Sequence, residues 1–88
     1  MKMTYDEFMK NNVLIINSND DEASEIRSRL LNSSTDAYIA TTIQMAQTLF
    51  FKYNFCLIIL DACMSEEDDH KLLRSMRLAK STPIMVLS

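Results

Sequence analysis

Asp61 follows directly on Phe55-Cys56-Leu57-Ile58-Ile59-Leu60, six apolar residues in a row. A run that apolar over so short a span reads as a central parallel strand buried on both faces. A carboxylate at its carboxyl end falls in the crevice beyond the strand tips, where open α/β sheets place their ligands. The competing reading is an Asp that simply turns the chain at a strand end. Other oxygen-bearing side chains close similar runs. Asn17, Ser18 and Asn19 end Val13-Leu14-Ile15-Ile16, and Ser88 ends Ile84-Met85-Val86-Leu87. Ser65 precedes Glu66, Glu67 and Asp68, a cap and three acids where a helix N-terminus favours negative charge, and plain electrostatics accounts for them.

The two cysteines offer less. Cys56 and Cys63 lie seven apart with no CxxC spacing, and His70 is the single histidine, so this chain alone cannot build a zinc cluster. Cys56 reads as a small core hydrophobe. A thiol at Cys63, close to the Asp61 carboxylate, should be less acidic rather than more reactive. Glycine is absent altogether, which excludes ordinary P-loops and dinucleotide-binding turns. Where the backbone needs a positive φ, Asn32, Asn54 and Asp69 are the candidates to supply it.

The elements that position these residues follow from hydropathy. Residues 1–12 form a leader in which Thr4 and Glu7 have capping-box spacing. Val13–Ile16 predicts a first strand. Asn19-x-x-Glu22 caps a helix over about 20–31, with Ala23, Ile26 and Leu30 on one face. Turn residues 32–36 lead to a short strand, Ala37–Thr41, and then to a second helix carrying Ala46, Leu49, Phe50 and Tyr53, which Asn54 stops. The strand ending at Asp61 comes next. A third helix through Leu72, Leu73, Met76 and Lys80 breaks at Ser81-Thr82-Pro83, before a fourth buried strand at 84–87. Alternation of this kind predicts right-handed crossovers and a parallel sheet with helices on both faces. All strand tips then point one way, so Asn17, Ser18, Asn19, Asp61 and Ser88 converge on one edge.

Composition sets the outer limits. With 88 residues, 48% hydrophobic and 24% charged, the chain fits one small globular domain. No apolar run approaches the ~20 residues of a membrane helix, and Asp6 and Glu7 near the amino terminus do not fit a secretory signal. A cytoplasmic setting is expected, with no membrane association. A net charge of −3 argues against nucleic acid bound by this segment and for a partner with a basic face.

From about Val13 to Ser88 the chain resembles the CheY-like receiver domain of two-component response regulators. Its strongest stretch, Leu60-Asp61-Ala62-Cys63-Met64-Ser65-Glu66-Glu67-Asp68-Asp69-His70-Lys71-Leu72-Leu73, is similar to the family's L-D-x-x-M-P-x-x-D-G-x-x-L-L. The resemblance implies a flavodoxin-like, doubly wound α/β fold in strand order 2-1-3-4, with residues 13–88 a truncated receiver lacking the fifth strand and the last two helices. It implies Asp61 as the acceptor of a phosphoryl group from a histidine kinase, controlling an output module, in a complete regulator often a transcriptional one. Mg²⁺ would be held by residues 17 and 18, by Asp61 and by the backbone carbonyl of Cys63. Ser88 matches the hydroxyl that turns toward the phosphoryl oxygens.

Departures accompany these matches. Ser65 replaces the family's Pro and Asp69 its Gly. Asn17 and Ser18 stand where the family has a pair of acids, which weakens or abolishes Mg²⁺ binding unless Asp20 and Asp21 move in. A pseudo-receiver, acting as a phosphate-insensitive interaction and dimerisation module, is therefore the alternative. Aspartate-nucleophile phosphatases form a third class, but their second acid falls at Cys63 here, so the chain reads as no enzyme. A fourth strand left at the edge predicts self-association by edge pairing.

Overall fold

The computed structural model describes residues 11–31, 35–62 and 74–87. In chain order it comprises β1 (Asn11–Ile16), α1 (Asp20–Leu30), β2 (Thr35–Ala40), α2 (Ile43–Lys52), β3 (Leu57–Asp61) and β4 (Ile84–Leu87), and residues 74–79 are helical between β3 and β4. The strands make one four-stranded sheet ordered β2-β1-β3-β4, with every neighbouring pair parallel. This is the parallel α/β sheet that the alternation of apolar runs predicts, in the flavodoxin-like order that the resemblance implies.

β1 is the spine of the sheet. It pairs with β2 from Asn11↔Thr35 to Ile16↔Ala40 and with β3 from Val13↔Leu57 to Ile16↔Leu60. Its side chains alternate between two cores. Val13 and Ile15 join Ala23, Ala37 and Ile59, with Ile26 and Leu30 of α1 packed against them. Leu14 and Ile16 join Phe50, Ile58, Leu60 and Met76 on the opposite face. Because both faces are covered, no polar residue interrupts the run. Each such burial contributes roughly 1.5–3 kcal/mol, and a slip of one residue would exchange the two cores, so the register is firmly specified.

Local chemistry sets the helix ends. Asn19 accepts the Glu22 N–H at 3.1 Å, and Asp20, Asp21 and Glu22 fill the first turn of α1. Thr42, which the sequence pattern did not single out, caps α2 by accepting the Met45 N–H at 3.1 Å. Both helices stop by passing straight into extended backbone, at Leu31 (φ −66°) and Tyr53 (φ −123°). Among the described residues no φ is positive, so Asn54 does not supply the left-handed turn expected of it. The carbonyls at the end of α2 are served instead by Lys80, whose Nζ donates to Phe50 O at 2.9 Å and Tyr53 O at 3.2 Å.

Four expectations change. β1 begins at Asn11, inside the expected leader of residues 1–12, because Asn12 is tied from its other side: its carbonyl accepts the Cys56 N–H at 2.8 Å and its Nδ2 donates to Asn54 O at 3.2 Å. β2 starts at Thr35 and ends at Ala40. β3 starts at Leu57, so Cys56 precedes the first ladder pair and is exposed rather than in the core. β4 is not buried either: Met85, Val86 and Leu87 are 48%, 54% and 39% exposed, because β4 is the outermost strand of the described sheet. The Thr4/Glu7 capping spacing, Asn32, Asp69 and the Ser65–Leu73 portion of the third helix lie outside the described residues.

Candidate functional site

The order 2-1-3-4 takes the chain from β1 to one side for β2, then across to the other side for β3. Between the carboxyl ends of β1 and β3 lies the topological switch point, the place where such sheets open a crevice. The β1–β3 ladder ends at Ile16↔Leu60. One residue further along both chains stand Asn17 and Asp61, on strands roughly 4.8 Å apart. On its other side Asp61 pairs with Leu87. The strand tips that carry Asn17 and Asp61 are therefore neighbours in the sheet, which holds whatever the side chains are.

Asn17 is almost fully buried, at 3% exposure. Its backbone N–H donates to Ala40 O at 3.0 Å, and its Oδ1 accepts the Asn19 N–H at 2.8 Å. Asn19 repeats the pattern: Oδ1 accepts from Glu22 N, and the carbonyl accepts the Ala23 N–H at 3.0 Å. Two carboxamides in series thus knit the tip of β1 to the first turn of α1. Hydropathy could not reveal this role for Asn17, but an Asn two residues before a capping Asn is the spacing of an Asx turn. Ser18 is exposed at the bend between them, and Asp20 and Asp21 are exposed in the first helical turn. Asp61 is half-buried as the last residue of β3. Cys63 and Ser88 lie outside the described residues.

This donor set suits Mg²⁺ poorly. The ion prefers carboxylates, and at the tips of β1 and β3 Asp61 supplies one while Asn17 offers a neutral oxygen that already accepts the Asn19 N–H. Asp20 and Asp21 sit in the first turn of α1, where the helix dipole favours their charge. Among the described residues, no three or more His, Cys, Asp or Glu side chains come together as a metal-holding group.

No protein-family model matches the chain. In sequence it is similar to the regulatory protein VanRB of Enterococcus faecalis, 26% identical over 76 residues that span 86% of this chain and 34% of the relative. In fold it matches a crystal structure of a two-component response regulator from Clostridium difficile, with a TM-score of 0.76 at 22% identity, over 88% of this chain and 64% of that one. The chain therefore spans about a third of the length of the curated relative (34%). The resemblance to a receiver domain is thus supported by both sequence and fold.

Proposed function

We propose that this chain is the receiver module of a two-component response regulator and that Asp61 accepts a phosphoryl group from the phosphohistidine of a histidine kinase. The supporting observation is the position of Asp61 at the carboxyl tip of β3, beside the tip of β1 at the switch point of a parallel sheet. In the proposed step a carboxylate oxygen of Asp61 attacks phosphorus, the P–N bond breaks, and the imidazole leaves with the electron pair and picks up a proton from water. The product is an acyl phosphate whose added charge and acceptor oxygens recruit nearby donors. The Ser88 hydroxyl is the donor assigned to it, and its movement would bias the protein between two states. The module acts as a signalling switch rather than an enzyme. It works in the cytoplasm, and in a longer protein it would govern a transcriptional output module; this acidic segment itself contacts no nucleic acid. None of the helices among the described residues is long and apolar enough to cross a membrane.

A small-molecule phosphodonor tests the reading directly. Intact mass should rise by one phosphoryl group per chain in the native protein and not in Asp61→Asn. No mass gain with phosphodonors or with phosphorylated histidine kinases, with or without Mg²⁺, would refute it.

One observation favours a second reading, a pseudo-receiver that signals by binding alone: the residue standing in for an acid, Asn17, is a structural staple with its oxygen engaged. In either case the exposed Met85, Val86 and Leu87 of the β4 edge support self-association through that strand, since an apolar edge is a template for pairing.

A further inference from the structure

We infer that the corner between β1 and β3 holds no resident divalent cation in the resting protein, and that Asn17 is the reason. The inference rests on reading this corner as the receiver site, yet it concerns the corner's own chemistry and not the transfer step. Charge comes first. Asn17 and Ser18 are neutral, so the tips of the two strands present the single carboxylate of Asp61. Among the described residues there is no cluster of like charges there, and so no repulsion for a counter-ion to relieve.

Geometry then holds the buried neutral oxygen of Asn17, just past the end of β1, in the loop that follows. Oδ1 of Asn17 lies 2.8 Å from the Asn19 N–H, and the residue is 3% exposed. Turning that oxygen toward a cation would strand a buried side chain and open the loop that starts α1, because Asn19 in turn caps the helix through Glu22. A buried group left without its partner incurs its full desolvation penalty. Asp20 and Asp21 are exposed in the helical turn that this loop supports, where the helix dipole favours their charge. An aspartate at position 17 differs in kind: a carboxylate still accepts the Asn19 N–H with one oxygen and keeps a second, charged one for a metal.

Manganese, as a paramagnetic stand-in for magnesium, tests this in the full 88-residue chain. Amide signals of residues 16–19 and 60–62 should show no selective broadening up to about 1 mM Mn²⁺, the weak end of biological oxygen-ligand sites. Thermal midpoints should be the same in Mg²⁺ and in chelator. The variant Asn17→Asp/Ser18→Asp should acquire selective broadening at those amides, reversed by excess Mg²⁺, together with a Mg²⁺-dependent rise in melting temperature. If the double variant does not fold, Asn17→Asp alone carries the test, since it preserves the loop's acceptor. Selective broadening in the native chain that disappears in Asp61→Asn would overturn the inference. So would folded acid variants that gain no broadening, because charge would then not be what the corner lacks. These results read the metal alone and stand apart from the phosphodonor mass assay, so either proposal can fail without the other.

Discussion

Replacing Lys80 by Met should weaken the fold by about 2 kcal/mol, out of a total of roughly 4–13 kcal/mol for a chain of this length. The ammonium reaches back from just beyond the helical residues 74–79 to the end of α2. There it donates to Phe50 O at 2.9 Å, to Tyr53 O at 3.2 Å and to Asn54 Oδ1 at 3.3 Å. It also lies 5.0 Å from the centre of the Phe50 ring. A hydrogen bond from a charged group contributes about 1.5–3 kcal/mol when well enclosed, but Lys80 is only half-buried, and solvent screening reduces the set to about 1–2 kcal/mol. The cation–π contact adds about 0.5 kcal/mol. Methionine keeps most of the aliphatic stem and removes the charge, so the difference reports the clamp rather than lost packing. At about 4–8 °C per kcal/mol for a domain of this size, the melting temperature should fall by roughly 8–15 °C. Urea unfolding followed by circular dichroism, at one fixed protein concentration, should show a lower midpoint with an unchanged slope. A loss under about 0.5 kcal/mol would mean that water serves those carbonyls equally well, and the clamp would have to be given up.

Asn19→Ala removes the cap of α1 and should cost about 1 kcal/mol, with faster hydrogen exchange at the Glu22 amide; unchanged exchange there would refute the cap. Tyr38 has its phenol pushed up by burial, then by Asp36 and Tyr53, against a lowering by Lys52. Because the folded state holds that proton more tightly, its contribution to stability is intact below the ordinary tyrosine value near 10 and fades as pH climbs through the raised folded one. Alkaline melts of Tyr38→Phe should lose part of the native chain's decline above that pH, and identical declines would contradict the assignment. Val86→Lys places a charge on the exposed β4 edge and should shift a light-scattering concentration series toward monomer; a native chain monomeric at every concentration would remove the case for edge pairing.

The apolar runs made the architecture legible because a strand covered on both faces leaves no choice of pattern. Val13–Ile16 and Ile58–Leu60 are buried as expected, and Ala23, Ile26 and Leu30 line one face of α1. Ends and edges were harder to see. Asn11 and Asn12 extend β1 although neither is apolar, since their place is fixed by pairing with Thr35 and Asp36. Ile84–Leu87 is as hydrophobic as the central strands yet largely exposed, because composition does not reveal how many neighbours a strand has. Lys80 looked like one more position on a helix, and only the tertiary fold brings it to the end of α2.

At the corner itself, position and charge come from separate sources. The adjacency of residues 17 and 61 is imposed by the β1–β3 ladder, which apolar side chains on both faces hold in register. The loop leaving β1 needs only an oxygen at position 17 that can accept the Asn19 N–H, and asparagine meets that need as well as aspartate does. The acids of this corner can therefore be exchanged for neutral side chains without disturbing the fold. On the proposed reading of this corner, substitutions at residues 17 and 18 should therefore change metal binding far more than stability.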